Sequence, residues 1–126
     1  MNLEQARFNM VEQQIRTWEV LDQGILDLLF VVRREDFVPP AHRTLAFADL
    51  ELPLPGGQRM WAPKVEARVL QSLEVQTSDS ALEIGTGSGY QAAILGELVR
   101  DVYTIEIVEP LATRARDTLA APWRVR

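Results

Sequence analysis

The chain contains no cysteine. Disulfide scaffolds, thiolate metal sites and cysteine nucleophiles are thereby excluded. It has one histidine, His42, so one chain cannot supply a multi-histidine metal site. A histidine-based triad has that single candidate. His42 follows Pro39-Pro40, and the plainer reading is a loop residue. Basic residues are also short, with 13 Lys and Arg against 18 Asp and Glu and a net charge of −5. A phosphate-binding surface needs a basic face, so nucleic acid is not an expected partner. Arg33-Arg34 runs straight into Glu35-Asp36 and reads as a solvated helix end, not a basic patch. Long apolar runs are missing too. The longest, residues 28–32, is five residues, far below the roughly 18 that a membrane helix needs. The opening Met1-Asn2-Leu3-Glu4-Gln5 has no basic region or apolar core of a signal peptide, so no membrane partner and a cytoplasmic setting are expected.

What remains is ordinary globular material: 126 residues, 47% hydrophobic and 25% charged. Residues 2–18 read as a helix, with Phe8, Val11, Ile15 and Trp18 on one face. Asp22 is placed to cap a second helix that buries Ile25, Leu26, Leu28, Leu29 and Val32. Val38-Pro39-Pro40 ends it. Residues 41–62 are rich in breakers and too long for an idle connection. Pro63 suits the first turn of a third helix, with Val65, Val69, Leu70 and Leu73 inward. Residues 80–84 read as a buried strand, 90–99 as a helix and 102–107 as a second strand. Pro110 opens a last helix, with Leu111, Ala115 and Leu119 on one side. Such alternation predicts a parallel sheet with right-handed crossovers.

Three of the seven glycines fall within five residues, in Leu82-Glu83-Ile84-Gly85-Thr86-Gly87-Ser88-Gly89-Tyr90. The run lies between a predicted strand and a predicted helix. Glycines there allow a sharp turn and close approach of a ligand to the backbone. Amide groups at the helix start are expected to face that ligand. Gly87-Ser88-Gly89-Tyr90-Gln91-Ala92 satisfies the looser dinucleotide pattern. Glu83, two residues before Gly85, argues the other way, because a carboxylate repels a pyrophosphate. An acid followed by this glycine pattern resembles the S-adenosylmethionine-dependent methyltransferases, in which the acidic position lies near the cationic methionine end. Glu106 ends the second strand about 20 residues beyond the turn, where a carboxylate can accept from both ribose hydroxyls. Cofactor-binding candidates are therefore Glu83, Gly85, Thr86, Gly87, Ser88, Gly89 and Glu106, with no metal ligands.

Further pieces narrow the resemblance. They are Met10-Val11-Glu12-Gln13-Gln14-Ile15-Arg16, Val32-Arg33-Arg34-Glu35-Asp36-Phe37-Val38-Pro39, Ala46-Phe47-Ala48-Asp49, Leu52-Pro53-Leu54, the glycine run through Ala93, and Val102-Tyr103-Thr104-Ile105-Glu106. Together they resemble the protein-L-isoaspartate (D-aspartate) O-methyltransferases. The resemblance implies methyl transfer from S-adenosylmethionine to isoaspartyl carboxylates of damaged proteins, with an isoaspartyl protein or peptide as partner. It implies an α/β, Rossmann-like methyltransferase fold. Residues 1–63 form an N-terminal helical and loop extension, and residues 64–126 the first part of the Rossmann-like domain. Such folds have a seven-stranded sheet and roughly 200 residues or more, so the chain is expected to be truncated after the second strand-helix unit. Exposed sheet edges could then pair two chains into a homodimer.

The resemblance also sets one contrast. The family carries Gly-x-Gly-Gln-Thr-Ile-Ser-x-Pro before the third helix, with active-site hydroxyls. Here the stretch is Gly56-Gly57-Gln58-Arg59-Met60-Trp61-Ala62-Pro63, with Arg59 for the threonine and Trp61 for the serine. Gln58, Arg59 and Trp61 are the substrate-loop candidates, and no general base is assigned. Arg59 could bind another carboxylate or be a solvated loop charge, and Trp61 could fill the pocket. A non-catalytic relative that binds cofactor or protein is thus the alternative function, and an NAD-binding oxidoreductase the second.

Overall fold

The structure, a computed structural model, describes residues 2–120. The segment Ala121-Pro122-Trp123-Arg124-Val125-Arg126, read as the approach to a further strand, lies outside the described residues. The chain divides into two compact units. One is Met1–Leu52 with Trp61–Glu74, the other Pro53–Met60 with Val75–Arg126.

The first unit is helical. Helix α1 (Leu3–Met10) starts where the Asn2 side chain accepts from the Gln5 amide at 3.0 Å. It runs into a wide π turn, Val11–Ile15, and a 3-10 turn, Arg16–Trp18, ending at Glu19 with a left-handed φ of 66°. Val11 and Ile15 are buried as expected, but Phe8 and Trp18 are 50% and 43% exposed. The wide turn inserts a residue and rotates the later residues by about 100°, so the expected spacing no longer shares one face. Met10 joins the core instead. Helix α2 (Gln23–Val31) is capped by Asp22, which accepts from the Ile25 amide at 3.1 Å. Ile25, Leu26 and Leu29 are buried, each worth about 1.5–3 kcal/mol; Leu28 is half-buried. Helix α3 (Pro63–Leu73) begins at proline and buries Ala67 and Leu70, while Val65 and Val69 are half-buried and Leu73 is exposed.

The reading of Arg33-Arg34 as a solvated end is wrong for Arg34. Arg33 is exposed, but Arg34 is buried in a 3-10 turn, Arg34–Asp36. Its Nε and Nη2 donate to Glu66 Oε1 of α3 at 3.1 and 3.0 Å. Nη2 also donates to the Trp61 carbonyl at 2.8 Å, and Nη1 to the Ala46 carbonyl. Glu35 is buried as well, taking Arg7 Nη1 at 2.9 Å and Nη2 at 2.6 Å. The Arg34–Glu66 and Arg7–Glu35 pairs are internal cross-links, which no periodicity marks. His42 sits half-buried in the 3-10 turn Pro40–Leu45.

The second unit contains short strands β1 (Leu52–Pro53, whose Pro53 belongs here) and β2 (Arg59–Met60), then β3 (Ser80–Ile84), α4 (Tyr90–Leu98), β4 (Asp101–Ile105) and α5 (Glu109–Thr118). Strands β3 and β4 pair in parallel, with Leu82 opposite Tyr103 and Ile84 opposite Ile105. Helix α4 buries Ala92, Ala93, Ile94 and Leu95. Leu111, Ala115 and Leu119 are buried as expected. Strand β4 ends at Ile105, two residues short of expectation, because the Glu106 side chain turns back onto local amides and the ladder stops. Leu82, Ile84, Tyr103 and Ile105 are 64%, 78%, 46% and 55% exposed, so one sheet face is largely bare among the described residues.

Candidate functional site

The glycine turn forms where β3 leaves the sheet. The ladder continues briefly, with the Gly85 and Thr86 amides donating to the Ile105 carbonyl at 2.8 and 3.2 Å. The chain then reverses. Gly89 N donates to the Thr86 carbonyl at 3.0 Å, and Tyr90 N to Ser88 Oγ at 3.2 Å, just before α4. Gly85, Gly87 and Gly89 have φ of 97°, 55° and 89°, a region costly for other residues. A side chain at Gly85 would meet nothing within 4 Å, so its backbone faces open space. At Gly89 a Cβ would come within 3.2 Å of Leu119 Cδ1, so this glycine serves packing instead.

Two carboxylates flank the turn. Glu106 Oε1 accepts from the Gly87 amide at 2.8 Å and Oε2 from the Val108 amide at 3.1 Å. It ties the strand tip to the glycine turn, a contact beyond the ribose role expected of it. Glu83 lies half-buried in β3. Burial pushes its carboxyl up, a hydrogen bond from Thr104 opposes this, and the negative charge of Glu106 adds to the rise, leaving it at about 7. Thr104 Oγ1 donates to Glu83 Oε1 at 2.7 Å and lies 2.6 Å from Thr86 Oγ1. Thr104 was missed in the sequence. Its signal was its place opposite Glu83 in the parallel register.

The expectation that amides at the turn and helix start face a ligand needs correction for five of them. Those of Gly85, Thr86, Gly87, Gly89 and Tyr90 are engaged within the unit. A pyrophosphate wants such donors free. This turn instead presents an open glycine, acceptors and hydroxyls, which suit a cationic or hydroxyl-bearing ligand. Beside it a cleft of about 480 Å³ is lined by Thr86, Thr104, Glu106 and Arg116, with Ala112 and Leu119.

The substrate-loop candidates are divided. Gln58 and Arg59 lie exposed in the same unit as the turn. Their loop is a tight reversal, Leu54 N donating to the Gln58 carbonyl at 2.8 Å. It packs close to the site: Leu54 Cδ1 lies 3.7 Å from where a Gly87 Cβ would be, and a Cβ on Gly56 would fall 2.7 Å from Val108 Cγ1. Trp61 belongs to the helical unit. Its ring is about half exposed, and its carbonyl is held by Arg34.

A family profile described as protein-L-isoaspartate(D-aspartate) O-methyltransferase matches residues 5–122. The chain belongs to this family. Among curated relatives, the protein-L-isoaspartate O-methyltransferase of Opitutus terrae is 44% identical over 120 residues, covering 92% of this chain and 52% of its own length. That of Petrotoga mobilis is 43% identical over 117 residues, covering 93% and 55%. The chain spans about half the length of the curated relatives it matches. A solved structure of a Plasmodium falciparum protein-L-isoaspartate O-methyltransferase in complex with S-adenosyl-L-homocysteine superposes with a TM-score of 0.72 at 18% identity, over 94% of this chain and 55% of that one. A second structure of a protein-L-isoaspartate O-methyltransferase gives 0.73 at 20% identity, over 98% and 40%. These likenesses establish the Rossmann-like methyltransferase fold.

Proposed function

We propose that this chain binds S-adenosylmethionine at the glycine turn and acts in methyl esterification of isoaspartyl carboxylates. The observation that carries the reading is the pair of carboxylates, Glu83 and Glu106, on either side of an open Gly85 whose neighbouring amides are already engaged. That acceptor set fits the cofactor. Glu83 faces the demand of a cationic amino end, and Glu106 has the acceptors a ribose requires. The same set is poorly matched to a pyrophosphate, which disfavours the NAD reading.

The cofactor, when bound, supplies a methyl group already activated by its sulfonium, so the protein's task is alignment and exclusion of water. Gly85 lets a ligand approach the backbone, and Thr86 and Ser88 line the turn. Gln58 and Arg59, on the loop packed beside the turn, are the side chains proposed to meet an isoaspartyl carboxylate. An arginine there supplies a planar double donor for that carboxylate. Two chains joined through the unpaired β3 and β4 edges, in a cytoplasmic setting, complete the reading.

A second reading is favoured by one observation. A half-exposed indole, Trp61, stands where the family resemblance expects a small hydroxyl. On that reading the chain holds cofactor without transferring methyl. Calorimetry with S-adenosylhomocysteine and transfer of labelled methyl to an isoaspartyl peptide separate the two. Binding with base-labile methyl incorporation supports the enzyme. Binding without incorporation supports the second reading, and the absence of binding overturns both.

A further inference from the structure

Thr104 stands between two residues of the turn region and has one proton to give. With Glu83 ionised, that proton goes to Glu83 Oε1 at 2.7 Å. Thr86, 2.6 Å away, must then donate to Thr104. The Thr86 hydroxyl hydrogen is consumed, and its oxygen is left to act as an acceptor. When Glu83 is protonated the chain can run in reverse. Glu83 donates to Thr104, Thr104 donates to Thr86, and the Thr86 hydrogen is released toward the cleft that Thr86 and Thr104 both line. Two hydroxyls thus connect a carboxylate at the end of β3 to the middle of the glycine turn. Thr86 is buried, so bulk water does not readily replace this partner.

We infer that Thr104 is a positioning residue that couples the ionisation of Glu83 to the donor or acceptor character of Thr86, so that docking of a cationic amino end and polarisation of the turn are one event. The inference deepens the S-adenosylmethionine reading and rests on it for the identity of the ligand. The hydroxyl chain itself stands on geometry alone. Among the described residues the charged group acting on Glu83 is Glu106, from the tip of β4, whose repulsion favours the protonated form; Thr104 favours the ionised one. A ligand cation adds to the Thr104 side. Binding therefore releases a proton, and affinity rises as pH rises through the Glu83 midpoint and levels off above it.

The test uses the 126-residue chain. Carboxyl ¹³C NMR follows Glu83, assigned by its loss in Glu83→Gln, and the Thr86 methyl is followed in the same titration. In the unaltered protein both move with one midpoint near 7. Thr104→Val, which keeps the shape and removes the hydroxyl, should raise the Glu83 midpoint by about one pH unit, the scale of one lost hydrogen bond to a charged group. It should also flatten the Thr86 response. Thr104→Ser should restore both, which separates the hydroxyl from a packing effect. Calorimetry with S-adenosylhomocysteine should show affinity rising about tenfold from pH 6 to pH 8, since a group with midpoint 7 goes from about 9% to about 91% ionised. In Thr104→Val that rise should move to higher pH. An unchanged Glu83 midpoint in Thr104→Val, or a Thr86 methyl that ignores the titration, overturns the coupling. Intact coupling in a protein that binds no S-adenosylhomocysteine overturns the cofactor reading and leaves the coupling in place.

Discussion

Replacing Arg34 with methionine should remove a large share of the helical unit's stability. The guanidinium is buried and bonds to Glu66 Oε1, the Trp61 carbonyl and the Ala46 carbonyl. Methionine has a similar reach and no charge, so packing is roughly kept while every donor is lost. Glu66, whose side chain is only 6% exposed, then loses its arginine. Removing one partner of a buried ion pair costs about 3–5 kcal/mol, because the other charge stays in a poor solvent. The two carbonyls add up to about 1–3 kcal/mol each, less whatever water recovers. Against a typical total of about 5–15 kcal/mol, Arg34→Met should lower stability by about 4 kcal/mol. Urea unfolding followed by circular dichroism measures this, with the fluorescence of Trp18 and Trp61 reporting from the same unit. The double variant Arg34→Met, Glu66→Leu should recover on the order of 1–3 kcal/mol relative to the summed single variants, since it removes the stranded charge. A single variant that loses less than about 1 kcal/mol, or a double variant that is strictly additive, refutes the reasoning.

The remaining expectations are narrower. Burial pushes the Glu35 carboxyl up, but the Arg7 guanidinium, a backbone hydrogen bond and the charge of Arg33 together outweigh burial and hold it below its ordinary value of 4.5. Its folded value is depressed, so its contribution is present above the unfolded value and is lost as pH falls through the folded one. Acid unfolding should steepen below about pH 4.5, and Glu35→Gln should remove that part of the slope. Gly56→Ala forces a Cβ to 2.7 Å from Val108 Cγ1 at a φ of 76°, and a loss of about 1–3 kcal/mol in the second unit is expected from denaturant melts. Glu106→Ala frees the Gly87 and Val108 amides and removes the proposed ribose acceptor; S-adenosylhomocysteine affinity measured by calorimetry should fall at least tenfold. Ile84→Lys places charge on the bare sheet face and should reduce concentration-dependent association in sedimentation without lowering the melting temperature by more than a few degrees.

Much of the second unit was legible because its signals are local. Strand β3 falls where expected, from Ser80 to Ile84, since the Gly85 turn fixes its end. Helix α5 begins at Glu109 with Pro110 in its first turn, and the parallel pairing follows from the alternation of elements. The end of β4 was overestimated because Ile107 looks like strand, and nothing in composition says that Glu106 would bond backward. The helical unit was less legible. Its first helix is phase-shifted by a π turn, which leaves no pattern in residue type. Arg34 and Glu66 are 32 positions apart, so their pairing is visible only in space. Among the candidate site residues, Glu83, the glycines and Glu106 were suggested by pattern. Thr104 was not, because a threonine in a β-branched strand looks like strand propensity.

The free amides were the misleading part of the motif. A glycine run before a helix suggests donors awaiting an anion, and that inference rests on the helix start being unsatisfied. Here the Gly85, Thr86, Gly87, Gly89 and Tyr90 amides are taken by Ile105, Glu106, Thr86 and Ser88. What the turn offers depends on which side chains close it, and these sit at the tip of the neighbouring strand, outside the motif. Glu106 is the deciding residue. It satisfies the donor that a phosphate would have used, and it adds a negative charge that a phosphate would have to overcome. It also places a like charge near Glu83, whose carboxyl burial already pushes up. On the proposed reading the glycine pattern permits close backbone approach, and the two glutamates select a cationic, hydroxyl-bearing ligand.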